Sequence, residues 1–127
     1  MNKQIHLIID GYKCNHKRLN DISYWYKLLN EILPKMLNMQ TLGYPIIYNY
    51  KNNDPKLDGL TGFQIITTSH ISFHTWIKEG TLKMDIFSCV YFDVNKIKDF
   101  LEKELDIKLL IFKIIERGDS LEEVKKI

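Results

Sequence analysis

The 127-residue chain reads as an α+β domain: an antiparallel-rich sheet with two helices on one face, in the order β-α-β-β-β-β-α-β. Three observations lead there. Several short runs are β-branched and alternate apolar with polar residues, as half-buried strands do. Two longer segments repeat apolar residues every three or four positions, the mark of an amphipathic helix. Two long helices for about six strands then favour one sheet covered on one face over alternating βαβ units.

Gln4 to Tyr12 is the expected first strand, ending near Gly11 and the turn-prone Asn15. Asn20 and Asp21 offer N-caps. Trp25, Leu28, Leu29, Ile32, Leu33 and Met36 follow at helical spacing. Pro34 lacks an amide hydrogen, so a kink or early stop is expected there. Tyr44 to Tyr50 is a second strand, and Asn52 to Gly59 is the one clear loop, dense in turn residues. Gly62 to Thr68 is a strand that Ser69 to Ile77 continues or follows. Lys78-Glu79-Gly80 turns the chain into a strand from Leu82 to Cys89. Asp93 caps a helix whose stripe is Val94, Ile97, Phe100, Leu101 and Leu105. Ile107 to Glu116 is a last, unusually apolar strand, and Ser120-Leu121-Glu122-Glu123 has capping-box spacing for a short terminal helix.

Composition narrows the function classes. A chain that is 45% hydrophobic and 27% charged is an ordinary globular composition, and its length suits a single domain over 1–127. A net charge of +2, with the lysines scattered, does not point to nucleic acid. No run is long enough to span a membrane, and Met1 to Gln4 leads straight into a strand without a signal peptide's apolar core. Cys14 and Cys89 read as free thiols of a reducing cytoplasm. Four scattered histidines without a Cys-x-x-Cys make no metal site. The sheet face away from the helices has no element left to cover it. The apolar runs Ile46-Ile47 and Leu109 to Ile115 call for burial on both faces, so a sheet-to-sheet dimer is expected.

Residues 68 to 76, Thr-Ser-His-Ile-Ser-Phe-His-Thr-Trp, carry the chemistry. A serine, two histidines and a tryptophan sit on one extended run and the Cys89 thiol on the next, residue types suited to nucleophilic and proton-transfer work. Alternation places His70, Ser72, His74 and Trp76 on one face and Ile71, Phe73, Thr75 and Ile77 on the other. The apolar set suits packing against a helix. The polar set suits either hydrogen-bonded interface residues or a reaction site.

Ser69-His70-Ile71-Ser72-Phe73-His74-Thr75-Trp76, with Asp85 and Cys89 downstream, resembles the small prokaryotic S-adenosylmethionine decarboxylases. His6-Leu7-Ile8 through Tyr12 and Cys14, Leu60-Thr61-Gly62, and Glu116-Arg117-Gly118 extend the resemblance over most of the chain, with a gap from about 38 to 58. It implies a cytoplasmic enzyme of polyamine synthesis, a homodimer with four αββα layers and active sites shared between chains. It further implies self-cleavage between Thr68 and Ser69, leaving a pyruvoyl group derived from Ser69 and no metal. That carbonyl would take the α-amine of an amino-acid-type substrate as a Schiff base and draw off the electrons released with carbon dioxide. By the same resemblance Cys89 is the proton donor, Thr61 and His74 the processing pair, and Trp76 and Asp10 substrate-binding residues. The chain departs from the family at Thr68, where Glu is usual, at Ile77-Lys78, where Pro-Glu is usual, and at Val90, where Gly is frequent. The loop from Asn52 to Gly59 carries Asp54 and Asp58 but lacks the Phe that stacks on adenine. Ornithine or arginine therefore stands as an alternative substrate, and an uncleaved binding or regulatory subunit as an alternative role.

Overall fold

A computed structural model describes residues 4–118. Strand β1 (Gln4–Tyr12) leads through helix α1 (His16–Leu19) to α2 (Ile22–Lys27), whose N-cap is the Asp21 side chain accepting from the Tyr24 amide. Helix α2 runs on through a π-turn (Leu28–Ile32) into α3 (Leu33–Met36). Strands β2 (Ile46–Tyr50), β3 (Gly59–Ile66), β4 (Ser69–Trp76) and β5 (Thr81–Ser88) follow, then helix α4 (Val94–Glu104) and strand β6 (Leu109–Arg117). The sheet order is β2-β3-β4-β5-β1-β6, antiparallel at every pairing. The expected α+β class and element order hold. The segment from Ser120 to Glu123 lies outside the described residues.

Alternation decides which face the helices cover. Ile5, Leu7 and Ile9 of β1, Leu82, Met84 and Ile86 of β5, and Ile71 and Phe73 of β4 are buried in one core with Trp25, Leu28, Leu29, Leu33, Ile97 and Leu101 of the helices. The Trp25 indole stacks on the Phe73 ring, centroids 3.8 Å apart. This pair explains a glycine of the Leu60-Thr61-Gly62 motif, because a Cβ on Gly62 would lie 2.3 Å from Phe73 Cε1. The residues between these, His70, Ser72, His74 and Trp76 among them, point to the opposite, open face, as the alternation requires.

Of the kink or early stop expected at Pro34, the structure shows a local departure from α geometry, a π-turn, and the helix runs on to Met36. In regular α geometry the Pro34 ring would press on the Asn30 carbonyl and deprive it of a donor. The wider π-turn just before it relieves that conflict, and Pro34 falls in the first turn of α3, where a missing amide is tolerated. The chain leaves the helix only at Leu37 and Asn38, the latter with φ +55°.

Strand β3 begins three residues before the expected Gly62, at Gly59. There the backbone comes so close to β4 that a Cβ would lie 1.7 Å from the Thr75 carbonyl oxygen, and the Leu60 amide donates to Thr75 Oγ1 at 2.9 Å. The same strand ends at Ile66 rather than Thr68, because Thr67 and Thr68 form a tight turn and Ile66 pairs with Ser69. Strands β2 and β6 are the two sheet edges, so the apolar runs read as buried on both faces stay largely exposed within one chain. Ile46, Leu109 and Ile111 are each more than half exposed, at 55%, 54% and 53%.

Candidate active site

The turn between β3 and β4 is under strain. Thr68 has φ +51°, the left-handed region that a β-branched side chain enters only at about 1–3 kcal/mol. Ser69, the first residue of β4, is buried at 6% exposure. Its hydroxyl oxygen accepts from the Cys89 amide at 2.8 Å, because Cys89 leaves the end of the neighbouring strand β5. The Thr68 hydroxyl lies 2.8 Å from Cys89 Sγ and 2.8 Å from the Thr67 carbonyl oxygen. The hydrogen bond from Thr68, more than those of Ser69 and the backbone, holds the Cys89 thiol below its ordinary pKa against partial burial. Thr68, Ser69 and Cys89 are thus brought together.

A second group forms on the open face. Thr61 and His74 are register partners on β3 and β4, with Oγ1 3.1 Å from Nδ1. The Trp76 ring lies 6.3 Å from that of His74. Both line a pocket of about 240 Å³ with Tyr50, Leu57 and Thr61. In the same cross-strand row, Lys83 stands beside His74 and Asp10 beside Lys83. The Asp10 carboxylate is 3.0 Å from Lys83 Nζ, which also donates to the Tyr12 hydroxyl at 2.9 Å. Asp10 is therefore aligned with the Thr61–His74 pair through Lys83, away from Ser69.

The two groups do not meet within one chain. Ser69 is buried on the helix side of β4 and His74 exposed on the open side. Five residues of extended chain at ~3.3 Å each separate them by ~16 Å, against the roughly 3 Å that proton transfer needs. Ser69 and Thr68 reach the open face only at its rim, in a groove of about 540 Å³ lined also by Phe63, His70, Phe87 and Arg117. The Arg117 guanidinium sits 4.9 Å from the centre of the Phe87 ring. Burial first, then the nearby His6 and Arg117 against Asp85, lowers the His70 pKa and keeps that imidazole neutral near pH 7.

Sequence reasoning gave Phe87 and Tyr50 no role at the site, and they carry no local signal, since cross-strand register alone brings them there; His70 was legible as part of the polar face of the motif. Arg117 did have a signal, the Glu116-Arg117-Gly118 motif. Cys14 stays apart from the site. It is buried, its thiol is pushed up to about 11, and its amide donates to the Gly80 carbonyl at 2.9 Å, tying the exit of β1 to the β4–β5 hairpin. Among the described residues, no group of three or more His, Cys, Asp or Glu side chains could hold a metal ion, and no helix is long and apolar enough to cross a membrane.

The profile of the S-adenosylmethionine decarboxylase family matches residues 5–118. The S-adenosylmethionine decarboxylase proenzyme of Clostridium botulinum (strain Loch Maree / Type A3) is 33% identical over 115 residues, covering 89% of this chain and 92% of the relative. The proenzyme of Methanococcus maripaludis (strain C7) is 28% identical over 120 residues, covering 87% and 93%. The crystal structure of the adenosylmethionine decarboxylase from Aquifex aeolicus shares the fold, with a TM-score of 0.75 at 23% identity over 95% of both chains. With the motif on β4, the match along nearly the whole chain and the common fold together, the chain belongs to the S-adenosylmethionine decarboxylase family of carboxy-lyases.

Proposed function

We propose that the protein is a self-processing decarboxylase of S-adenosylmethionine that cleaves itself between Thr68 and Ser69 and works as a two-fold dimer. The observation that carries this reading is the Thr68–Ser69 junction, a strained peptide with a buried serine hydroxyl and a thiol held against it. These residues fit a group made from residue 69, because Ser69 opens into the rim groove beside Cys89.

Processing uses the chain's own atoms. Ser69 Oγ attacks the Thr68 carbonyl carbon, its proton passes to a base, and the acyl group moves from nitrogen to oxygen. Elimination across the Cα–Cβ bond of residue 69 then leaves the serine oxygen on Thr68 as a carboxylate. Water replaces the remaining nitrogen, which departs as ammonia, and residue 69 keeps a ketone. The pyruvoyl group so formed supplies an electron-withdrawing carbonyl for the loss of carbon dioxide. Cys89 holds a proton at Sγ for the substrate's α-carbon. Thr61 and His74 suit the processing step, a hydroxyl to steady the ester oxyanion and an imidazole to carry the proton. Their distance from Ser69 favours an arrangement in which the partner chain's pair serves this chain's serine, the open faces packing together about a two-fold axis. Exposed Ile46, Phe63, Ile65, Ile111 and Ile115 on that face support such a dimer.

Tyr50 and Trp76, walls of the pocket beside Thr61 and His74, offer aromatic faces for a purine, although the loop itself has none. The loop acids that favoured ornithine or arginine have structural work: Asp54 accepts from the Lys56 amide at 3.1 Å and Asp58 from the Asn52 amide at 2.7 Å. Intact mass of purified protein tests the reading. Wild type should resolve into fragments 1–68 and 69–127, the second blocked to Edman sequencing, and release carbon dioxide from S-adenosylmethionine, whereas Ser69→Ala should stay whole. A wild type that stays at full mass after long incubation would instead favour a binding or regulatory subunit.

A further inference from the structure

The Thr68 hydroxyl has two acceptors within 2.8 Å, the Thr67 carbonyl oxygen and Cys89 Sγ, and one hydrogen to give. Which acceptor it serves depends on the sulfur. A thiolate draws the hydrogen to Sγ, because a charge-assisted bond is roughly twice as strong as a neutral one. A neutral thiol leaves the hydrogen on Thr67, and the sulfur itself then lies 3.6 Å from that same carbonyl as a donor. In either protonation state the sulfur is tied to the Thr67–Thr68 turn.

What holds Thr68 over the sulfur is the backbone. Its φ of +51° is imposed by a two-residue turn that the Ile66–Ser69 pair closes. That closure passes through the Thr68–Ser69 peptide bond. Once the bond is broken, Thr68 is a chain end bearing a new carboxylate, and nothing in the turn keeps its φ positive.

We propose that Thr68 is the positioning residue for Cys89 in the uncleaved chain, and that scission of the Thr68–Ser69 bond releases the thiol from it. The second half rests on the self-processing reading above. Before scission the hydroxyl favours the sulfur as an acceptor. Afterwards that donor is withdrawn, and the new carboxylate nearby disfavours a second negative charge. Both changes favour the protonated thiol, the form that can deliver a proton, and they occur when residue 69 acquires its carbonyl. The charged or titratable groups on the flanking strands include His6 and Asp10 on β1, His70 and His74 on β4, Lys83 and Asp85 on β5, and Lys113, Glu116 and Arg117 on β6. None of them shifts Cys89, whose departure from ordinary behaviour comes from hydrogen bonds, that of Thr68 first. The chain uses for this the one motif-adjacent position where it carries Thr in place of the family's usual Glu.

The test is the pH profile of Cys89 alkylation by iodoacetamide, read by mass on the full chain. Cys14 does not compete, being buried with its thiol pushed up to about 11. Ser69→Ala supplies an uncleaved reference that, like processed wild type, lacks the Ser69 hydroxyl. Adding Thr68→Val keeps the β-branched shape and removes the hydroxyl, so the alkylation midpoint should move to higher pH and the rate near neutrality fall several-fold. Adding Thr68→Ser instead should retain the reference profile. Processed wild type should follow the valine variant. If the valine variant coincides with the Ser69→Ala reference, Thr68 does not position Cys89. If processed wild type coincides with that reference, scission does not release the thiol. A wild type that never cleaves overturns the self-processing reading and the release with it, while the uncleaved variants judge the contact on their own.

Discussion

Thr61 and His74 face each other across β3 and β4 with Oγ1 3.1 Å from Nδ1, on the sheet face opposite to Ser69. The pairing is local and follows from register. Its separation from the serine is the ground for proposing a site shared with a second chain, and complementation tests that proposal. A Cys89→Ala chain and a His74→Ala chain should each be inactive alone. In a mixed dimer one site carries both lesions and the other carries none. Coexpression should therefore restore part of both processing and carbon dioxide release. Mixed dimers no more active than either parent would show that each site is built from one chain.

Strain at Thr68 should assist scission. Glycine at this position adopts a positive φ without the clash, so Thr68→Gly should lower the energy of the uncleaved chain relative to the transition state. With about 1–3 kcal/mol of strain available, self-cleavage should slow by roughly 5–150-fold. Time courses of the fragment bands measure it, and an unchanged rate would mean that the turn contributes no driving force.

Gly62→Ala should destabilise the fold by about 1–3 kcal/mol. The added methyl would clash with the Phe73 ring, which the Trp25 indole stacked on it at 3.8 Å holds in place. Urea unfolding of the uncleaved Ser69→Ala protein measures the loss, and Phe73→Leu should recover part of it by opening space.

The aromatic pocket makes a prediction about substrate. If Tyr50 and Trp76 hold the purine, Tyr50→Ala should raise KM for S-adenosylmethionine by roughly 5–150-fold, the about 1–3 kcal/mol typical of base–aromatic stacking. Steady-state kinetics on processed protein decide it. A KM that does not move would put the purine elsewhere.

Cys14 predicts a pH effect on stability. Burial raises its thiol from an ordinary 9.0 to about 11, so between these values the unfolded chain has lost the proton that the folded chain keeps. The contribution is whole below pH 9 and declines as pH rises towards 11. Thermal unfolding of Ser69→Ala protein should therefore show a steeper alkaline loss than the same protein carrying Cys14→Ala. Parallel curves would assign the alkaline loss to other groups.

Much of this molecule was legible along the chain. The alternation through Ser69–Trp76 put His70, Ser72, His74 and Trp76 on one face correctly, because side-chain direction in a strand follows from a period of two and needs no knowledge of neighbours. The helical stripe from Trp25 to Met36 was legible for the same kind of reason, and Asp21 and Asp93 cap their helices as short polar residues do. Other features belong to pairings between distant segments. Pro34 signals a break by its chemistry alone, yet the helix passes through it by a π-turn. Gly62 looks like a turn residue until the Phe73 ring is placed against it. No local pattern puts the Thr68 hydroxyl on Cys89, Tyr50 beside Trp76, or Arg117 over Phe87. The residue types of the chemistry are written in the chain, and the elements and faces that carry them follow from local backbone geometry. Tertiary structure alone decided which of those residues touch, because strand register and sheet order join positions that are far apart in the chain.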